Sequence, residues 1–148
     1  MANVDVVQGL WSAVYDRDWE RVAQHLGDDA IYYDVPTGPT TAAKGPAGIV
    51  ARLRLGLEEL TGYTHRPGAV VAAGDTVMLE HAETWTWATG ETVTLPFVTV
   101  HRVEDGKVVL WKDYWDYETL RRGAPADWEE RLFAADVSSW LYDATGEA

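Results

Sequence analysis

Side chains that can move protons recur at two-residue spacing in three β-forming segments: Tyr32 with Asp34, His81 with Glu83, and Asp113 between Trp111 and Trp115. Side chains two apart on a strand point to the same face. Val77, Leu79, His81, Glu83, Trp85 and Trp87 therefore share one face, as do Val109, Trp111, Asp113 and Trp115. A charge on an apolar face is costly to bury unless it is paired or used. Three strands that each offer such a group point to one polar patch inside an apolar hollow. Two carboxyls there could divide the work of general base and general acid if their surroundings push their pKa values apart. The competing reading puts these groups on the solvent side of the sheet. For His81 and Glu83 the opposite face, with Thr76, Met78, Glu80, Ala82, Thr84 and Thr86, is the less apolar one. For Asp113 the opposite face (Val108, Leu110, Lys112, Tyr114, Asp116) is mixed.

The elements that must position these groups follow from periodicity. Val7, Leu10, Trp11 and Val14 make a helical stripe that begins near Asn3 or Asp5. A shorter helix carries Trp19, Val22 and Leu26 and stops at Gly27. Residues 30–35 read as a short strand ended by Pro36, followed by a loop to Lys44. Gly45-Pro46 opens a third helix with Ile49, Val50, Leu53, Leu57 and Leu60 on its buried side. Beyond Gly62 the period becomes two, and strands are predicted at about 63–73, 76–88, 91–104 and 107–117, joined by Gly74-Asp75, Thr89-Gly90 and Asp105-Gly106. A last amphipathic helix is expected from Pro125 to Tyr142, with Trp128, Leu132, Phe133, Val137, Trp140 and Leu141. Helices followed by a meander of long strands make an α+β domain with helices on one face of a mostly antiparallel sheet.

Composition narrows the classes. A chain of 148 residues, 47% hydrophobic and 24% charged, suits one globular domain. Its net charge of −12 disfavours nucleic acid and anionic lipid as partners. Without cysteine there is no disulfide, thiol nucleophile or thiolate metal site. No run approaches the ~20 apolar residues of a membrane span, and the N-terminus lacks the pattern of a secretion signal, so a cytoplasmic protein is expected. His25 reads as a helix-end cation, and His65 and His101 have no carboxylate neighbour in sequence. No metal is expected from the scattered histidines, and no cofactor from a chain without a glycine-rich phosphate loop. Eight Trp and seven Tyr against two Phe favour surfaces that are apolar yet able to hydrogen-bond.

Two segments carry a resemblance. Leu26-Gly-Asp-Asp-Ala-Ile-Tyr-Tyr-Asp-Val-Pro36 and Asp105-Gly-Lys-Val-Val-Leu-Trp-Lys-Asp-Tyr-Trp-Asp116 are similar to the pocket strand and last strand of the nuclear-transport-factor-2-like superfamily. Leu110-Trp-Lys-Asp-Tyr-Trp-Asp most resembles its limonene-epoxide-hydrolase branch, and in looser form the SnoaL-like polyketide cyclases. The resemblance covers residues 3–120 and implies a cone-shaped fold, a curved sheet wrapped around the N-terminal helices and enclosing a pocket. Residues 1–120 would be the core domain and 121–148 a helical extension that caps the mouth or extends a dimer contact. The epoxide-hydrolase pattern implies that Asp113 takes a proton from the attacking water, that Tyr32 and Asp34 hold that water, and that Glu83 protonates the epoxide oxygen. His81 would stand where the family has an Arg between the two acids, and could return the proton after each turnover. Glu83 for Asp, Asp34 for Asn and His81 for Arg depart from the pattern, the last replacing a permanent cation with a group that titrates near neutrality. Trp85, Trp87, Trp111 and Trp115 would wall the pocket for an apolar small molecule. A homodimer through the outer sheet face, near Val98 and Val100, is also implied.

Three other functions remain open on the same residues. A SnoaL-like cyclase needs mainly an Asp on the last strand, which Asp113 supplies. An isomerase of the ketosteroid type would use Asp34 as its base, with Leu10 and Val98 standing where that family has oxyanion donors. A noncatalytic module could instead cradle a cationic amine between acids and indoles.

Overall fold

The computed structural model describes residues 1–147. Helix α1 (Asn3–Tyr15) buries Val7, Leu10, Trp11 and Val14, the stripe expected from its spacing. Helix α2 (Trp19–Gln24) begins where the Asp18 side chain accepts from the backbone N–H of Arg21. Helix α3 (Gly45–Leu57) opens with Pro at its start and buries Ile49, Leu53 and Leu57. The strands are β1 (Leu26–Asp34), β2 (Ala42–Lys44), β3 (Gly62–Ala73), β4 (Thr76–Thr86), β5 (Thr92–Glu104), β6 (Lys107–Tyr114) and β7 (Leu141–Tyr142). They form one curved, unclosed sheet in the order β3-β4-β5-β6-β1-β2-β7, antiparallel except where β1 runs parallel to β6. Two short helices, α4 (Tyr117–Gly123) and α5 (Trp128–Ala134), follow the last long strand.

The inward faces of the long strands follow the alternation. Val77, Leu79, His81, Glu83, Trp85 and Trp87 are all buried, and so are Val93, Leu95, Phe97, Thr99 and His101 on the neighbouring strand. Trp11 plugs the centre, its ring 4.6 Å from His81, 5.2 Å from Trp111 and 5.6 Å from Phe97. A smaller cluster of Ile31, Tyr33, Ala42, Leu110 and Ala144 lies apart from this main core.

Three expectations need correction. First, Leu26 belongs to β1, because its backbone pairs beside Val108; the second helix ends two residues earlier. Second, Val103 pairs with Val108 but Arg102 pairs with Leu110, so Val109 is an extra residue in β6. That bulge reverses the phase of the strand, placing Val108 rather than Val109 with Trp111 in the core. Third, the long C-terminal helix is broken. The Asp136 carboxylate accepts from the N–H and hydroxyl of Ser138, a local turn that competes with helix, and Leu141–Tyr142 instead pairs with β2.

A second bulge, between Pro67 and Val70, bends β3. Gly68 sits in it, and a Cβ there would lie 2.8 Å from the Glu80 carbonyl oxygen. Gly68→Ala should therefore cost about 1–3 kcal/mol by overpacking, read as a lower denaturation midpoint at unchanged m-value. Among the described residues, no helix is long and apolar enough to cross a membrane.

Candidate active site

Between α3, the concave face of the sheet and the C-terminal helices lies a cavity of about 140 Å³, lined by Asp34, Glu83 and Asp113 among indole, phenol and leucine side chains. The parallel pairing of β1 with β6 sets Tyr32 beside Trp111 and Asp34 beside Asp113. The Tyr32 hydroxyl is 3.1 Å from Asp34 Oδ1 and 3.2 Å from Asp113 Oδ2. Trp111 Nε1 donates to Asp113 Oδ1 at 2.6 Å, and Trp115 Nε1 to Asp34 Oδ1 at 2.8 Å. Arg52 on α3 donates from Nη2 to Asp34 Oδ2 at 2.8 Å.

One phenol carries one hydrogen, so Tyr32 cannot donate to two ionised carboxylates at once. Asp34 has a cation beside it; among the described residues Asp113 has none. Burial, then the charge on Asp34, pushes the Asp113 carboxyl well above the usual carboxylate range, opposed by the Trp111 and Tyr32 hydrogen bonds. The arrangement is satisfied when the proton rests on Asp113, Asp113 donates to Tyr32, and Tyr32 donates to Asp34. The two carboxyls then hold one proton between them.

Glu83 anchors a second cluster. Tyr15 and Tyr63 donate to its Oε2 at 2.6 and 2.9 Å, and Trp85 Nε1 to its Oε1 at 2.8 Å. Burial raises the Glu83 pKa and these three donors draw it back. Burial also lifts both phenols above their ordinary value, so they stay protonated. In the ladder Asp113 faces Thr99, which faces Leu79. Glu83 is thus two strands away and four residues along from Asp113, or about 13 Å of strand length.

His81 is buried but does not bridge the acids. Its Nδ1 is 2.9 Å from His65 Nε2, its Nε2 is 2.8 Å from Thr99 Oγ1, and its ring stacks on Phe97 at 4.2 Å. It lines a separate cavity between α1 and β3. Burial, then the neighbouring His65, lowers its pKa to about 3, so the ring is neutral. The proton return expected of it has no path through these contacts. Of the four tryptophans, Trp85 and Trp115 line the acid cavity. Trp111 holds Asp113, and Trp87 turns away to donate to Glu59 at 3.0 Å. Val98 faces outward, 39% exposed, and not into the cavity.

His101 is a structural group. Trp11 Nε1 donates to its Nε2 at 3.0 Å, and its Nδ1 lies 3.1 Å from the Val77 carbonyl, which selects the neutral Nδ1–H tautomer. Burial lowers its pKa to about 4. Since the unfolded imidazole titrates near 6.5, its contribution to stability is complete above that pH and is lost as pH falls toward 4, about 2 kcal/mol by pH 5. His101→Gln should flatten this part of the stability profile, measured by denaturant melts between pH 7 and 5.

Sequence reading missed Arg52, Tyr15, Tyr63 and the C-terminal lining residues Trp128 and Leu132. Tyr63 had a usable signal, since Tyr63 and His65 alternate on β3 in phase with the inward rows of its neighbour. Arg52 had little, lying beside the apolar stripe of α3 with nothing local to mark its partner.

An α+β chain whose curved sheet wraps over buried acids has the fold of the nuclear-transport-factor-2-like proteins. Residues 7–111 match the SnoaL-like domain, and the chain belongs to that family. It is 27% identical over 124 residues to the epoxide hydrolase EphG of Mycobacterium tuberculosis, covering 79% of this chain and 75% of that one. The fold is also that of an LEH-like epoxide hydrolase from M. tuberculosis (TM-score 0.69, 24% identity, 82% of this chain and 87% of the other). A protein assigned as a SnoaL-like polyketide cyclase from Shewanella denitrificans superposes with TM-score 0.74 at 16% identity, over 82% of this chain and 95% of the other.

Proposed function

We propose that this protein hydrates an epoxide of an apolar small molecule in one step. The observation that carries the reading is the pair of separately wired carboxyl clusters on one apolar cavity: Asp34–Tyr32–Asp113 at one end, and Glu83 with its phenols at the other. Water held by the first cluster attacks an epoxide carbon and gives its proton to the Asp34/Asp113 pair. The carbon–oxygen bond breaks, and the oxygen takes a proton from Glu83, directly or through Tyr63, to leave a diol. Solvent then moves the gained proton from the aspartates back to the Glu83 end. Similarity to EphG supports the same chemistry. The acid must hold a proton near neutrality, and burial raises the Glu83 pKa in that direction.

One observation favours a second reading. The Tyr63 and Tyr15 hydroxyls are donors of the type an enolate oxygen needs, so proton transfer on a carbonyl compound fits the same cavity. Turnover of a panel of terminal, cyclic and aryl epoxides, run beside enolisable ketones, separates the two. Diol formation supports hydration; isomerised or cyclised ketone with no diol supports proton transfer; binding without turnover of either class supports a noncatalytic module. We further assign self-association to the outer sheet face, where Val98 pairs across the ladder with Tyr114 and both are exposed beside Met78.

A further inference from the structure

Asp34, Glu83 and Asp113 share a cavity of about 140 Å³, close to the volume that admits one benzene ring. Such a space takes the reacting end of a molecule and little more. Under the C-terminal segment lies a second cavity of about 520 Å³, within the range of pockets that enclose a whole small molecule. Thr37, Arg52, Leu55, Tyr117 and Leu132 line both, so one layer of side chains separates the two. Three of these are tied in place. The Thr37 hydroxyl donates to the Asp34 carbonyl at 3.1 Å, Arg52 Nη2 to the Asp34 carboxylate at 2.8 Å, and the Tyr117 hydroxyl to Glu129 at 2.7 Å. Leu55 and Leu132 are apolar and incompletely buried, and these two are free to change rotamer.

The wall of the outer cavity sets the chemistry of its occupant. It is formed chiefly by Leu55, Leu132, Phe133, Val137, Trp140 and Leu141, with Phe133 72% exposed on the solvent side. The hydroxyls that reach it are engaged: those of Thr37 and Tyr117 as above, and that of Thr41 on the Gly38 carbonyl at 3.0 Å. Arg52, its cation among the described residues, is paired with Asp34 and packs on the Trp140 ring at 5.3 Å. Glu129 adds a carboxylate. Such a wall favours hydrocarbon and disfavours a further anion.

We propose that the outer cavity holds the tail of the substrate, an uncharged hydrocarbon chain whose reacting end sits among the acids, and that Leu55 and Leu132 turn aside to let it through. The assignment rests on the hydration reading only in naming the reacting end as an epoxide.

The test uses straight-chain alcohols of increasing length, from about four to about twelve carbons, with the 1,2-epoxyalkanes and ω-hydroxycarboxylates that match them. Alcohol binding is followed by tryptophan fluorescence and epoxide turnover by diol formation. Affinity of the wild type should rise about fourfold per methylene and keep rising beyond about six carbons, where the acid cavity is full. Ala135→Trp, which fills the outer cavity, should flatten the rise beyond that length. Phe133→Ala, at an exposed position outside the core, should lower the ratio of long-chain to short-chain affinity severalfold. The carboxylates should bind more weakly than alcohols of equal length, and Glu129→Gln should narrow that difference. A plateau beyond six carbons, wild-type length dependence in both cavity variants, a preference for the carboxylates, or no binding by any alcohol would each overturn the assignment. Length-dependent alcohol binding without diol from any epoxide would sink the hydration reading and leave the tail site standing. Diol formation indifferent to chain length would do the reverse.

Discussion

Asp113→Asn is expected to reduce epoxide turnover about a thousandfold while leaving the affinity for an unreactive apolar ligand within about twofold. The amide can still accept from Trp111 Nε1 and meet the Tyr32 hydroxyl, so the cavity keeps its shape. What it loses is the shared proton: Asp113 can pass its proton through Tyr32 to Asp34 and then take one from water, and an amide can do neither. The same substitution has a signature in stability. Asp113 is buried without a cation of its own, and its raised pKa means that charging it in the folded state is costly. Above that pKa the Asn variant should be the more stable protein. As pH falls, folded Asp113 gains its proton before an unfolded carboxyl does near 3.9, so the wild type recovers and the gap narrows. Thermal melts at alkaline and mildly acidic pH check this. A variant less stable than wild type at alkaline pH would show that Asp113 is held in place as a structural acceptor.

Glu83→Gln is expected to cost about a hundredfold in kcat, the typical worth of a general acid. Its pH profile is the sharper readout. In the wild type the rate should fall as pH rises through the raised Glu83 pKa, because the protonated acid is lost. Burial lifts the Tyr15 and Tyr63 phenols above their ordinary range, so their ionisation cannot supply that limb. Glu83→Gln should therefore abolish the alkaline decline. A variant that retained the alkaline decline would move the acid role away from Glu83.

What the sequence disclosed depended on how local the determining interaction was. The inward rows of β4 could be read directly, since alternation is set by backbone geometry and both buried and exposed faces had clear compositions. Alternation suggested one shared polar patch, but the register that brings Tyr32, Asp34 and Asp113 together is the parallel β1–β6 pairing, a long-range contact with no local signal. The face of Val109 was misread because one extra residue reverses the phase of a strand, and no local signal marked it in a run of two valines. Arg52 was invisible because its partner lies 18 residues away and is reached only after the chain has turned through the loop that precedes α3. For His81, spacing correctly placed the ring inside. Its partners, His65 and Thr99, come from two neighbouring strands, and they direct it away from the acids.

The central claim is that water, not a protein carboxylate, opens the substrate ring at the Asp34–Tyr32–Asp113 cluster. A single turnover of an epoxide in oxygen-18 water tests it directly. Direct attack by water predicts one heavy oxygen in the diol of the first turnover and none in the protein. An unlabelled diol from that turnover, with heavy oxygen appearing in Asp113 or Asp34, or a rearranged carbonyl product with no diol at all, would contradict it.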